Sequence, residues 1–415
     1  MNVPLRSVEP SIEPAPGLTI PADPNSGQKS QFALFSDSWL ELQGYIGSAI
    51  QLPIAEGDFE QKYGTLGAST TIKDCIAAMK GVQEASTEFG DPKSLRAALI
   101  KDPNILAAKE PPAAIYTHTV WLGQRVHQTA GTIASGYESV FEGLKDLPAK
   151  EQVENLKAYL FDQTLGPIPL SKQMSDEVGA LIKKIGKFEE KMRVYNAKLQ
   201  AYTQISSKMI KDLDTKIGGF SQRIIDLETS RDDAYQAWKS FTIAAVTSTV
   251  GCALIGAFLA PFTFGVSALV GGAAVIALGV GLGIKAGENR AKYNAFCDQI
   301  AQETEENTKK IRLRSDLGDF NTQMQRVGPA MAKFLKDLQT IEGVWVQMNT
   351  DMLFIHRDIN EGNVGTLPFL VKTTARKAID SWKAIDESAK QFTVKSLVDY
   401  TSIAFGDKMP EKMAA

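Results

Sequence analysis

Side chains suited to acid–base, nucleophilic or metal chemistry are scarce in this sequence. Its 415 residues hold three histidines (His118, His127, His356) and three cysteines (Cys75, Cys252, Cys297). The histidines stand in no HExxH or other metal-ligand spacing, and His118 and His127, nine apart on one expected helix, need not share a face. Each reads as a satisfied surface or core histidine. The cysteines form no CxxC pair and leave one unpaired under any connectivity, so they read as free thiols. There is no GxSxG elbow and no GxxxxGK[ST] loop. The run Gly279-Val-Gly-Leu-Gly-Ile-Lys285 has the outline of a phosphate cradle. It ends an apolar arm and follows no strand, whereas a cradle needs strand-loop-helix context. These residues give no reason to expect catalysis, a cofactor or a metal.

The elements that carry those residues are built from an ordinary soluble composition. Hydrophobic residues make up 44% of the chain and charged residues 22%, with a net charge of −3. The 45 Lys and Arg are offset by 48 Asp and Glu, which argues against a nucleic-acid partner. Met1 to Pro24 holds six prolines and scattered acids instead of a basic start followed by an apolar run, so no Sec signal is expected. Residues 1–27 read as a Pro-rich arm, disordered or draped. Export would then proceed by lysis or a signal-independent route.

One segment stands apart. The 45 residues from Ser240 to Ile284 carry no charge, between Lys239 and Lys285. Pro261 cannot continue a helix and Gly265 permits a reversal, which divides the segment into arms of close to 20 residues. As helices these would be roughly 30 Å long, the thickness of a bilayer's hydrocarbon core. Trp238 and Lys239 before the first arm, and Lys285, Arg290 and Tyr293 after the second, are the aromatic and snorkelling basic groups that anchor at one membrane interface. The side chains expected to meet lipid are Phe241, Ile243, Val246, Val250, Leu254, Ile255, Phe258 and Leu259 on the first arm. Phe262 and Phe264 follow in the turn, then Val266, Leu269, Val270, Val275, Ile276, Leu278, Leu282 and Ile284 on the second.

The arms also carry small residues at helix-packing spacing: Ser248, Cys252 and Gly256 in the first, and Gly271, Gly279 and Gly283 in the second. Glycines at 271, 272, 279, 281 and 283 each cost on the order of 0.8–1 kcal/mol against Ala in a water-exposed helix, so the second arm can change conformation readily. Three readings stay open: a hairpin buried permanently in a helical core, two constitutive spans, and a hidden hairpin that inserts on demand.

Long helices flank the hairpin. Val178, Leu181, Ile185, Phe188, Met192, Tyr195, Leu199 and Tyr202 recur at spacings of three and four, and the series resumes at Met209. This is a coiled-coil seam over residues 173–238. Leu317, Phe320, Met324, Val327, Met331, Phe334, Leu338, Ile341, Trp345, Met348, Met352, Ile355 and Ile359 keep the same spacing, with Pro329 off the seam, where it should kink rather than terminate the helix. Further helices are expected at 29–52, 69–89, 113–146, 149–163 and 365–405. The fold class is all-α: an elongated bundle of about five long helices, little or no sheet, with an antiparallel neck and an apolar helical hairpin at one end. Residues 28–239 and 285–415 form the tail and neck, and 240–284 the head.

The Pro-rich start, the helical rod and the hairpin opening Trp238-Lys239-Ser-Phe-Thr and closing Gly283-Ile-Lys-Ala-Gly287 resemble the α-helical pore-forming toxins of the cytolysin A superfamily. Within it, the chain is most similar to the A subunit of xenorhabdolysin-type binary toxins. The resemblance implies a soluble monomer whose head stays covered until it meets the target-cell membrane, a second (B) subunit as partner, and an oligomeric lytic pore. Labour is divided between the subunits of such toxins, so this chain need not line the pore. The alternatives are a two-span membrane scaffold, or a single-component or tripartite toxin.

Overall fold

The computed structural model describes residues 10–21, 31–50, 52–64, 70–217, 258–259, 266–271, 305–361, 369, 371–396 and 400–404. Their elements run in the order β1 (Thr19–Ile20), β2 (Gln31–Phe32), α1 (Asp37–Ala49), α2 (Glu56–Tyr63), α3 (Thr70–Phe89), α4 (Pro92–Lys101), α5 (Ile115–Leu144), α6 (Ala149–Leu160) and α7 (Pro167–Ile217). There follow β3 (Phe258–Leu259), β4 (Val266–Gly271), α8 (Glu305–Asn360), α9 (Lys372–Lys395) and β5 (Tyr400–Ala404). The protein is all-α in its core and elongated. Five described helices have 20 residues or more, and α7 and α8, with 51 and 56 residues, are roughly 77 and 84 Å long.

Helix ends follow local chemistry. Asp91 caps α4 by accepting from the Ser94 amide at 2.7 Å, and the Asp91 amide donates back to the Ser94 hydroxyl, with Pro92 in the first turn. Between α6 and α7 the Asp162 carboxylate accepts from the amides of Thr164 and Leu165, which turns the chain before Pro167 opens α7. Those bonds hold the Asp162 carboxyl below its ordinary range.

The expected seam forms along Val178–Met192 and Val327–Ile359, while the side chains of Leu199, Tyr202, Met209, Leu317, Phe320 and Met324 lie outside the described residues. Val178, Leu181, Ile185, Phe188 and Met192 of α7 are buried, as are Val327, Met331, Phe334, Leu338, Ile341, Trp345, Met348, Met352, Ile355 and Ile359 of α8. The pair is antiparallel: Asn349 reaches the Ile168 carbonyl at 2.8 Å, while Gly179 lies beside Glu342. Pro329 sits exposed inside an unbroken α8. Helix α9 runs antiparallel to α5, with Phe392 against Gly123, Asp386 bonded to His127, and Lys383 paired with Glu138. Trp39 of α1 stacks on Tyr116 at 5.4 Å and on Phe334 at 5.0 Å, joining α1, α5 and α8 in one core. The arm at 10–21 is draped along this bundle. Ile12 and Leu18 are buried, the Ile12 carbonyl accepts from Trp382 Nε1 at 3.2 Å, and Gly17, at φ +133°, lets the backbone pass against Thr340 and Val344.

Four expectations change. The helix expected from residue 29 begins at Asp37, because Gln31–Phe32 pair with Thr19–Ile20. Helices α2 and α4 fall between the expected helices, where none was expected. Around Gly57 and Pro92 these residues favour helix starts as much as turns. The last helix ends at Lys395 instead of 405, and Tyr400–Ala404 is a strand. The apolar hairpin, expected to be helical, is extended at Phe258–Leu259 and Val266–Gly271. Short apolar runs do not distinguish strand from helix by periodicity, and the glycines after Val270 penalise a helix there.

Candidate membrane-engaging segment

The charge-free segment contributes two strands to a three-stranded antiparallel sheet, in the order β3-β4-β5. Phe258 faces Val270 and Leu259 faces Leu269, so the chain reverses between them, across the stretch that holds Pro261 and Gly265. On its other edge β4 pairs with β5: Ala268 opposite Ile403, Leu269 opposite Ser402, Val270 opposite Thr401 and Gly271 opposite Tyr400. A register irregularity lies between Val266 and Ala268. Neither β4 nor β5 contains a charged residue.

The sheet is held to the bundle through α1, against which β4 lies. Helix α1 is seated by Trp39, Leu42, Tyr45, Ile46 and Ala49, all buried, and by the Ser38 hydroxyl donating to Asp337 of α8 at 2.8 Å. Burial pushes the Tyr45 hydroxyl, which has no partner, far above its ordinary value. The apolar segment is thus tied by backbone hydrogen bonds to a strand about 130 residues away.

Of the residues expected to meet lipid, Phe258, Leu259, Val266, Leu269 and Val270 fall in these strands, as does Gly271 of the helix-packing set. Phe241, Ile243, Val246, Val250, Leu254, Ile255, Phe262, Phe264, Val275, Ile276, Leu278, Leu282 and Ile284 lie outside the described residues. So do Ser248, Cys252, Gly256, Gly279 and Gly283, and the anchors Trp238, Lys239, Lys285, Arg290 and Tyr293. Among the described residues no helix is long and apolar enough to cross a membrane. The element that sequence reading missed is β5. Its signal was the uncharged, aromatic and β-branched run Tyr400-Thr-Ser-Ile-Ala404, read instead as the end of a helix.

The histidines are dispersed. His118 is fully buried in α5 with both ring nitrogens unpartnered, its ring edge-on to Trp121 with centroids 5.4 Å apart. Burial, with a lesser contribution from the nearby Lys184 ammonium, lowers its pKa to about 3. His127 bonds through Nδ1 to Asp386, and His356 meets Phe161 edge-on at 4.8 Å. Among the described residues no group of His, Cys, Asp and Glu could hold a metal ion.

No family model and no curated protein matches this chain. Solved structures do. A Bacillus cereus toxin component, HblL1, superposes with a TM-score of 0.54 at 14% identity, over 87% of this chain and 96% of that one. The cytotoxin MakB from Vibrio cholerae aligns with a TM-score of 0.48 at 12% identity, over 94% and 99% of the two chains. Soluble SmhA of the tripartite alpha-pore forming toxin Smh, from Serratia marcescens, aligns at 0.43 and 12%, over 88% and 92%. The chain has the fold of HblL1, and at such identity the likeness is one of fold.

Proposed function

We propose that this chain is a component of a multi-part α-pore-forming toxin, soluble before contact, that engages a target-cell membrane through residues 240–284. The carrying observation is a 45-residue uncharged stretch in a chain with the fold of a toxin component, with β4 of that stretch paired to β5 and lying against α1. Residues 28–239 and 285–415 act as tail and neck, and 240–284 as head. The partner is a second subunit of the binary, xenorhabdolysin-like kind, and the assembled pore is an oligomer.

The mechanism needs a two-state element. In water β4 satisfies one edge of its backbone by pairing with β5. In a bilayer it gains roughly 5–10 kcal/mol from transfer of its large apolar side chains, on a scale of about 0.3–0.6 kcal/mol each. A gain of that size biases a bistable protein without abolishing the soluble state. The long uncharged arms suit contact with lipid better than the wall of an aqueous channel.

Detergent-free protein should float with liposomes on its own. It should release trapped dye, and lyse red cells, only when mixed with the product of the neighbouring gene. Lysis by the single protein would replace the binary assembly with a self-sufficient one. Absence of both binding and leakage in every combination would refute the toxin reading and leave a soluble scaffold.

A further inference from the structure

The arm at residues 10–20 is held along the bundle as a ligand is held in a groove. It lies where α8 and α9 meet, beside Trp345 and Trp382, whose ring centroids are 5.5 Å apart. Glu13 pairs with Lys377 at 2.9 Å, the Ile12 carbonyl accepts from Trp382 Nε1, and Gly17 passes over Thr340 and Val344. Ile12 and Leu18 are each 1% exposed. The groove fits this segment in particular. A Cβ on Gly17 would stand 2.7 Å from Thr340 Cγ2, and the backbone there has φ +133°, so the position selects glycine. At the far end of the arm β1 pairs with β2, and Phe32 of β2 packs on Phe392 of α9.

The arm is nevertheless lightly tied. Pro10, Pro14 and Pro16 have no amide hydrogen, and the Glu13 amide is satisfied inside the arm by the Ser11 hydroxyl at 3.0 Å. Withdrawal therefore strands few backbone donors. The ties into the α8–α9 groove are two apolar side chains, one hydrogen bond of 3.2 Å and an ion pair whose lysine is 72% exposed. Against them stands the conformational entropy of the whole arm. A vacated groove would leave Trp382 and Val344 uncovered, so the groove refills instead of staying open.

We infer that the arm is an exchangeable clasp: residues 10–20 of one copy seat in the α8–α9 groove of a second copy, with β1 of the first pairing with β2 of the second. A second copy brings the one sequence already seen to fit, acid for Lys377 and glycine for Thr340 included. The contacts are identical within one chain and between two, so concentration alone decides between them. Residues 21–30, Pro-Ala-Asp-Pro-Asn-Ser-Gly-Gln-Lys-Ser, join the arm to β2 and hold no large apolar side chain. Ten residues reach at most roughly 33–36 Å, and a tether of that length presents the arm to its own groove at an effective concentration of about 1 mM. Dilute protein keeps its own arm. Copies crowded to that density exchange arms, and each exchange links two chains. Nothing in this assignment depends on residues 240–284 or on a membrane.

The test uses full-length chains in which Cys75, Cys252 and Cys297 are replaced by Ser. One variant carries Glu13→Cys, a second carries Lys377→Cys and a third carries both. A short bismaleimide should cross-link the double variant within one chain, which checks the seat of the arm. The two single variants are mixed in sub-denaturing urea, so that slow opening is not mistaken for none, and the urea is then removed. Their covalent dimer can form only when an arm sits on the other copy, and its yield should rise at least tenfold between about 10 μM and about 1 mM. Ile12→Asp or Leu18→Asp in the arm-bearing copy should lower that yield at least tenfold. Moving the second cysteine to the exposed Lys390, roughly 20 Å further along α9, should lower it as far. Any of three results overturns the clasp: no dimer at the higher concentration, a yield indifferent to both Ile12→Asp and Leu18→Asp, or equal yields with Lys377→Cys and Lys390→Cys.

Discussion

His118 shows how one residue couples packing to solvent conditions. Its ring fills a fully buried position, touches Trp121 and has no hydrogen-bond partner, so the interior admits it only as the neutral form. The folded pKa of about 3 lies below the unfolded value of 6.5. Stability from this site is therefore complete above pH 6.5 and is lost as pH falls towards 3, because only the unfolded chain takes up the proton. Between pH 7 and pH 5 the loss is about 2 kcal/mol. His118→Phe keeps an aromatic ring beside Trp121 and should flatten urea-denaturation stability over that interval by about this amount. Equal pH dependence in the two proteins would show that the ring carries no such burden. The sequence located His118 on a helix, but its burial without partners is a property of the assembled core, in which the nearby Lys184 ammonium donates to the Pro112 carbonyl at 2.6 Å.

At the scale of elements, α7 and α8 owe their form to local periodicity, and the sheet does not. Helical hydrogen bonds close within four residues, and the buried residues of both helices recur every three or four positions, so the seam was readable residue by residue. Strand β4 becomes a strand because β5 is beside it to accept and donate. A disulfide joining Leu269→Cys to Ser402→Cys, directly opposed in the ladder, should hold the segment in its water-facing pairing. In a background with Cys75, Cys252 and Cys297 replaced by Ser, the oxidised protein should fail to float with liposomes and a reductant should restore flotation. Full flotation of the oxidised form would mean that β4 and β5 stay paired at the membrane.

At the scale of the whole molecule, the protein must hold one uncharged stretch in water and yield it to lipid. Val250→Asp or Ala274→Asp adds about 2.5–3.5 kcal/mol against bilayer insertion at a central position, a large share of the available gain. Each variant should stay monomeric and soluble but lose carbonate-resistant association with liposomes; retained integration by both would sink the insertion model. The amino-acid sequence by itself determined the long helices at 70–89, 115–144 and 305–360, the seam between α7 and α8, the exposure of Pro329 and the charge-free stretch, since each is a local or periodic property of composition. Tertiary structure alone decided that Phe258–Leu259 and Val266–Gly271 are extended, that Tyr400–Ala404 pairs with β4, and that Ile12 and Leu18 cover the bundle. Those outcomes depend on partners far away in the chain, whose identity no local pattern encodes and whose closure entropy only the assembled core offsets.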